Sequence, residues 1–302
     1  MTTDRRTPGK ARGLRRILSP DGFVLSCAID HIDEFNELLP AGSGPAEQVE
    51  AKAALVRRVS PATSCVLLDA PSLSHAVHTG AVGGGVVASL ENGDYSLDSA
   101  GVTVLRTGWG PAEARAAGVD GVKLWWWHRP DDELAAVQRR LLAGVVAECA
   151  AEDLLLVVEP IWYPRPGEDL STRAWREARA GGIVEAAVTA ERLGADVLKV
   201  QFPDDLGAPA GEDLARETLA RLDAAVHSPW VLLSAGVAFE TFERRLELAC
   251  AAGASGYIAG RSLWREAVAT PGAERPAAVA LLLERLERLN AITRRYGRPV
   301  RS

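Results

Sequence analysis

The sequence predicts a single α/β domain of the (β/α)8 TIM-barrel class, and three features of the chain support this prediction. Short runs rich in Val, Leu and Ile alternate with longer segments of helical periodicity, which is the order of parallel βα units. There are eight such runs, and a length of 302 residues accommodates one barrel of about 250 residues with short extensions. Their near-continuous hydrophobicity is typical of strands buried on both faces, as in a barrel or a doubly wound sheet.

The predicted strands and helices follow one another along the chain. The strands are the eight apolar runs at residues 23–30, 65–70, 86–90, 122–126, 155–161, 197–202, 231–236 and 257–260. The helices are the periodic segments at residues 45–59, 131–152, 172–193, 211–226, 239–252 and 275–295. The pairs Ser171-Thr172 and Asp131-Asp132 have side chains suited to N-caps. Helix ends are expected at Gly118, Gly194 and Gly253.

Both ends of the chain are expected to extend beyond the barrel. Residues 1–20 are polar apart from a short helical piece at 14–18, so they form either a loose tail or a helix that plugs the bottom of the barrel. Residues 21–296 form the barrel itself. Residues 297–302 are expected to be a C-terminal tail that is frayed from Pro299 to Ser302.

Composition excludes several classes of function. The net charge of −6 offers no basic face for nucleic acid, and no run approaches the roughly 18 apolar residues of a membrane span. Because no signal peptide opens the chain, we expect a cytoplasmic protein whose partner is a small molecule. The four cysteines lie singly in apolar or Ala-rich stretches and are expected to be reduced core residues: Cys27, Cys65, Cys149 and Cys250.

Lysine is scarce in this chain. Among 34 basic residues only four are lysines, namely Lys10, Lys52, Lys123 and Lys199. Arginine cannot lose its proton in a protein, whereas a lysine in a suitable environment becomes a nucleophilic amine. Lys123 and Lys199 lie inside apolar runs, where a charged side chain is costly unless it is paired or functional.

Ionisable residues recur where a parallel barrel gathers its active site, at the carboxyl ends of the strands. Asp30 ends the first run, while Lys123, Glu159 and Lys199 lie in the fourth, fifth and sixth. Two amines in one apolar cavity repel each other, which favours the neutral form of one, and Glu159 beside them would move protons. The structural alternative is an interior ion pair of these lysines with Glu159.

A phosphate site is expected after the seventh and eighth strands. The seventh run ends in Ser234, Ala235 and Gly236, and the eighth ends in Gly260 followed by Arg261. Backbone N–H groups at glycines together with a cation form a recurring phosphate site at this end of a barrel. The structural alternative is an arginine that pairs with a loop carboxylate.

The remaining polar and aromatic motifs carry weaker signals. Alternation places Trp125 on the same face of its strand as Lys123, so Trp125 is a candidate for lining the substrate cavity, although packing explains it as well. Asp30-His31 and the pair His75 and His78 lack further ligands at suitable spacing. We therefore expect no metal and no nucleotide cofactor.

The chain resembles the LacD-type class I aldolases, the family of tagatose 1,6-bisphosphate aldolases, and also the sulfofructose phosphate aldolases. The matching segments occur in order between about residue 14 and residue 264, and the most specific are Gly121-Val-Lys123, Val157-Val-Glu-Pro-Ile-Trp-Tyr163, Asp196-Val-Leu-Lys-Val200, Leu233-Ser-Ala-Gly-Val237 and Gly260-Arg-Ser-Leu-Trp264. The resemblance implies that Lys199 forms a Schiff base with the substrate, that Glu159 is the acid/base, that Lys123 assists and that Arg261 binds phosphate.

The resemblance also shows departures that bear on the substrate. Where the family has an Asp-Gln-Arg triplet, this chain has Asp30-His31-Ile32, and Asn92 replaces the family's lysine in the segment from Glu91 to Tyr95. Two cations near the mouth are therefore missing, which leaves a monophosphate, a bisphosphate or a sulfonate open as substrate.

The expected function is the reversible retro-aldol cleavage of a phosphorylated ketose to a dihydroxyacetone-phosphate-type ketone and an aldehyde, with no metal or nucleotide. A related lyase of sugar or inositol catabolism with an altered mouth, or a non-catalytic barrel that binds a sugar phosphate, are the alternatives. Association into a homo-oligomer is expected by analogy with other barrel aldolases.

Overall fold

The computed structural model describes residues 6–93, 101–204, 206–208 and 210–301, and its centre is a closed barrel of eight parallel strands in sequential order. The predicted (β/α)8 class is therefore confirmed. The strands are β1 Val24–Ile29, β2 Cys65–Leu68, β3 Gly85–Ser89, β4 Gly121–Trp127, β5 Leu155–Ile161, β6 Val197–Val200, β7 Trp230–Leu233 and β8 Gly256–Ala259.

Helices cover the outside of the barrel. They are α1 Pro8–Ile17, α2 Asp33–Asn36, α3 Pro45–Val59, α4 Ala70–His78, α5 Pro111–Ala116, α6 Ala135–Ala151, α7 Arg173–Leu193, α8 Gly211–Ala225, α9 Phe239–Ala252, α10 Arg261–Ala269 and α11 Arg275–Tyr296. Within the described part of the chain, no helix combines the length and the apolar character that a membrane crossing needs.

Two predicted boundaries are wrong for local reasons. Strand β7 ends at Leu233 instead of continuing to residue 236, because Ala235 and Gly236 have φ angles of 51° and 69° and turn the chain. Helix α6 begins at Ala135, not at residue 131. Asp131 stays in the loop because its carboxylate pairs with Arg129 at 2.9 Å.

The side chains inside the barrel form three layers. The lowest layer is apolar and includes Val24, Leu67, Val157 and Ile258. Alternation along the strands then places charged residues one level higher, and an aromatic and aliphatic group centred on Trp127 lies above them. The charged layer is thus enclosed by apolar side chains below and above.

Helix α1 closes the amino end of the barrel. It is longer than the piece predicted at residues 14–18, and its Leu14 and Ile17 are buried against the lowest apolar layer. Gly13 permits the close approach, since a Cβ atom there would lie 2.3 Å from the carbonyl oxygen of Asp120.

The C-terminal segment is also held to this end, contrary to the predicted frayed tail. Arg298 N–H donates to Ala254 O at 3.1 Å, and Val300 N–H donates to Gly22 O at 2.8 Å. These main-chain hydrogen bonds fix residues that carry no secondary-structure pattern in the sequence, which is why periodicity missed them.

We expect Leu14→Ala to destabilise the protein by about 3 kcal/mol, because truncation leaves a cavity beneath the barrel. Urea unfolding followed by circular dichroism measures this loss. Arg15→Ala is the matched control on the exposed side of the same helix and should change the unfolding free energy by less than about 0.5 kcal/mol. Equal effects of the two substitutions would contradict the plugging role of α1.

Candidate active site

Three of the residues singled out in the sequence meet inside the carboxyl-terminal half of the barrel. Lys199 of β6 donates from Nζ to Glu159 Oε2 of β5 at 2.8 Å. Lys123 of β4 approaches the same oxygen to 3.2 Å. The three residues are at most 5% exposed, so one carboxylate oxygen is shared by two buried amines.

Lys123 is the most highly coordinated of these groups. Besides Glu159, it pairs with Asp30 Oδ2 at 2.9 Å and with Glu91. Asp30 comes directly after β1, and Glu91 lies two residues beyond the end of β3. The interior ion pair considered as a structural alternative is thus present, but it is a network of two amines and three carboxylates.

Sequence reasoning did not assign a site role to Glu91. The signal was available, because Val87, Ser89 and Glu91 alternate along one face and continue the inward side of β3. Glu91 Oε2 also accepts a hydrogen bond from the backbone N–H of Trp125 at 3.2 Å. Glu91 therefore links the amine of Lys123 to the backbone of the strand that carries it.

Electrostatics keep the Asp30 carboxylate charged. Burial is the largest single effect and raises the pKa of Asp30, but the neighbouring positive charges, that of Lys123 first, together with the hydrogen bond from Lys123, hold the pKa below its ordinary value. His31 behaves in the opposite way, since burial lowers its pKa to about 3 despite Asp30, whose Oδ1 lies 3.5 Å from Nδ1. His31 is a neutral ring at neutral pH, packed edge-on against Trp264 at 5.6 Å between centroids.

The residues expected to bind phosphate lie together between β7 and α10. Gly260 N–H donates to Ser234 Oγ at 3.2 Å, and Arg261 is the first residue of α10. The guanidinium of Arg261 lies against Gly236, where a Cβ atom would come within 3.2 Å of Nε. A side chain at position 236 would therefore displace the cation.

Arg261 already has a protein counter-ion. Its Nη1 lies 3.2 Å from Glu34 Oε1 on α2, which is the loop carboxylate of the structural alternative. The contact is single, and both Arg261 Nε and Glu34 Oε2 lack a hydrogen-bond partner among the described residues. The pair thus leaves hydrogen-bonding capacity of the guanidinium unused.

Trp125 lies on the inward face of β4, next to the charged layer. Its backbone register places it beside Glu159, and Lys123 Nζ lies 5.8 Å from its ring centroid. Trp127 packs edge-to-face against it at 5.2 Å and against Tyr163 at 5.3 Å. Trp125 is half-buried, whereas Lys123 and Glu159 beside it are buried.

The remaining buried or metal-like motifs are accounted for by local pairing. Lys52 pairs with Asp69, the N-cap of α4, and lies 5.3 Å from the centroid of the Phe35 ring. His75 Nε2 lies 2.6 Å from Glu50 Oε2. Within the described ranges, no group of three or more His, Cys, Asp or Glu side chains is arranged to hold a metal ion.

The segment from Glu91 to Tyr95 that departs from the LacD-type pattern is described only through Gly93, so Asp94 and Tyr95 lie outside the described residues.

Comparison with solved structures supports the fold. An archaeal fructose 1,6-bisphosphate aldolase superposes with a TM-score of 0.67 at 18% identity, covering 94% of this chain and 99% of its own. A Schiff-base-forming fructose-1,6-bisphosphate aldolase superposes with a TM-score of 0.65 at 19% identity, covering 93% and 99%. At such identities the likeness establishes the barrel architecture.

Comparison of sequences identifies the family. A tagatose 1,6-diphosphate aldolase of Streptococcus pyogenes is 27% identical over 282 residues, covering 87% of this chain and 86% of the relative. A tagatose 1,6-diphosphate aldolase of Enterococcus faecalis is 26% identical over 313 residues, covering 94% of each. The profile of the DeoC/LacD family aldolases matches residues 27–266, which include every site residue described above. The chain belongs to the DeoC/LacD family of aldolases.

Proposed function

We propose that this protein is a class I aldolase that cleaves a phosphorylated ketose to a dihydroxyacetone-phosphate-type ketone and an aldehyde through a Schiff base on Lys199. The observation that carries the proposal is the 2.8 Å hydrogen bond from the buried Lys199 amine to Glu159, with the second amine of Lys123 on the same oxygen. A nucleophilic lysine with an acid/base partner in hydrogen-bond reach is the arrangement that imine chemistry requires.

The charge network explains how Lys199 becomes a nucleophile. Lys123 has Asp30 and Glu91 as counter-ions of its own, so Glu159 is free to serve Lys199. Transfer of one proton from Lys199 Nζ to Glu159 Oε2 gives a neutral amine and a neutral acid without changing the net charge inside the barrel. Repulsion from the ammonium group of Lys123 favours the neutral form of the Lys199 amine.

The first half of the reaction forms the imine. Lys199 Nζ attacks the ketone carbon, the new C–N bond forms, and the carbonyl π electrons move to oxygen, which takes up the proton released by nitrogen. The protonated Glu159 then gives its proton to the carbinolamine hydroxyl, and the C–O bond breaks to release water. The product is a protonated imine.

The second half breaks the carbon chain. The Glu159 carboxylate accepts the proton of the hydroxyl whose carbon becomes the aldehyde, and the electron pair of the C–C bond moves into the imine to give an enamine. The aldehyde leaves, and the enamine carbon takes a proton from Glu159. Hydrolysis of the imine then restores Lys199, and the protonated imine supplies the electron sink that a metal ion would otherwise provide.

Phosphate binding supplies the remote anchor in this proposal. Arg261, with the backbone turn at Ser234, Ala235 and Gly236 and the start of α10 after Gly260, would hold the phosphate of the ketone half. A fixed phosphate positions the ketone carbon at Lys199, so binding at a distance contributes to the rate.

We expect sodium borohydride to reduce an imine formed with dihydroxyacetone phosphate, which adds one ketone fragment per chain in the intact mass. Peptide mapping should place the fragment on Lys199, and Lys199→Ala should abolish it. Lys10→Arg, at a lysine paired with Asp196 far from the mouth, is the matched control and should keep the adduct. Binding without an adduct would favour the non-catalytic barrel instead.

We expect Glu159→Gln to lower kcat by about 10²- to 10⁴-fold, because an amide cannot transfer protons. The slow reaction should still trap some adduct on Lys199, which separates loss of proton transfer from loss of the nucleophile. Steady-state cleavage assays measure kcat, and Glu177→Gln on the exposed side of α7 serves as control. Unchanged kcat in Glu159→Gln would rule out this acid/base role.

Glu34 should compete with the substrate phosphate for Arg261. We expect Glu34→Gln to lower KM for a phosphorylated ketose about threefold to tenfold, and Arg261→Gln to raise it about 10- to 100-fold, since a charge-assisted hydrogen bond contributes about 1.5–3 kcal/mol. Glu37→Gln, at an exposed carboxylate just after α2, is the control. A higher KM in Glu34→Gln would mean that Glu34 holds Arg261 in place.

A further inference from the structure

The loops at the mouth of the barrel carry few cations. This observation matters only if the proposed aldol reaction is correct, because it concerns the substrate of that same site. The segments after the eight strands contain four arginines, namely Arg106, Arg129, Arg165 and Arg261. The same segments contain fifteen Asp or Glu residues: 30, 33, 34, 37, 69, 91, 94, 98, 131, 132, 133, 168, 169, 204 and 205.

Two of the four arginines are committed to internal contacts. Arg129 pairs with Asp131 at 2.9 Å and with Glu168, donates to Tyr163 O at 2.7 Å and stacks on the Trp162 ring at 4.0 Å. Arg165 pairs with the other oxygen of Asp131 at 3.0 Å. Both cations therefore stabilise the loops after β4 and β5, and neither is available to a ligand without breaking that network.

The barrel geometry fixes where the far end of a substrate lies. Arg261 follows β8, and in a closed barrel of eight sequential strands β4 is diametrically opposite β8. A ketose whose phosphate is held at Arg261 and whose carbonyl carbon is at Lys199 of β6 must extend toward β4. The inward side chain of β4 at this height is Trp125.

Trp125 is a fixed, uncharged surface. Trp127 contacts it edge-to-face, Tyr163 supports Trp127 in the same way, and Leu233 and Ile161 pack against this group. The face of an indole ring is the negative side of its quadrupole, so it stacks favourably on C–H groups and unfavourably on an anion. Sugar-binding pockets generally combine such apolar walls with a few polar groups.

We propose that the natural substrate is a ketose with a single phosphate, bound at Arg261, and that its uncharged polyol end lies against Trp125. A second phosphate or a sulfonate at that end would meet the indole face and the carboxylates of Glu91 and Glu159. The aldehyde product is accordingly neutral. Among the described residues of these loops, Arg106 is the one arginine without an ion pair. Binding of a second phosphate by Arg106 would contradict the proposal.

The test uses the reverse reaction of the full-length protein, with dihydroxyacetone phosphate as donor. Racemic glyceraldehyde and racemic glyceraldehyde 3-phosphate are compared as acceptors, so that acceptor configuration does not decide the result. We expect kcat/KM for glyceraldehyde to exceed that for glyceraldehyde 3-phosphate by about tenfold or more. The comparison needs only the wild-type chain and does not depend on how a variant folds.

Variants then locate the preference. Trp125→Leu should lower kcat/KM for glyceraldehyde about tenfold and leave the borohydride adduct with dihydroxyacetone phosphate unchanged. Trp175→Leu, at a half-buried tryptophan on α7, is the matched control and should not change either quantity. Thermal unfolding of both variants checks that they fold.

The outcomes separate the two proposals. A preference for glyceraldehyde 3-phosphate overturns the single-phosphate inference, and its loss in Arg106→Gln would identify Arg106 as the second phosphate ligand. In that case the adduct on Lys199 still supports the aldolase. Absence of any adduct on Lys199 overturns the proposed function itself, whichever acceptor reacts. Equal kcat/KM for both acceptors also contradicts the inference, because Trp125 would then exert no selection.

Discussion

Ion pairing among five buried ionisable side chains is the constraint on which this structure depends. These residues lie on short strands or just after them, and each is at most 5% exposed: Asp30, Glu91, Lys123, Glu159 and Lys199. An isolated charge in such surroundings is strongly disfavoured, so each strand must deliver its group at the correct height. The closed barrel meets this requirement because hydrogen bonding between neighbouring strands fixes the register of all inward side chains.

The network is asymmetric, and the asymmetry distinguishes its two amines. Among the described residues, Lys123 pairs with three carboxylates, whereas Lys199 pairs with Glu159 alone. In the proposed mechanism this contrast assigns the nucleophile to Lys199 and the assisting role to Lys123. Glu91 bears on the site through its ion pair with Lys123 and through the hydrogen bond that it accepts from the backbone N–H of Trp125.

The sequence revealed those parts of the site that follow simple periodicity. Lys123 and Lys199 stand out as cations within apolar runs, and alternation correctly placed Trp125 on the face of Lys123. Glu34 and its contact with Arg261 could not be predicted, because the contact joins residues 227 positions apart through a four-residue helix without a pattern of its own. Helix α10 was missed because only one residue, Gly260, separates it from β8. The end of β7 depends on two positive φ angles, one of them at an alanine, which composition does not indicate.

Helix α1 closes the amino end of the barrel, so its interior is reached from the carboxyl end. In the proposed reaction the ketone half is bound covalently at Lys199, and the aldehyde half extends toward Trp125. Product release is ordered: the aldehyde departs first, and the ketone follows after hydrolysis. In the synthetic direction the ketone must bind before its acceptor. The covalent bond to Lys199 sets this order, and the closed amino end gives both reactants the same route in and out.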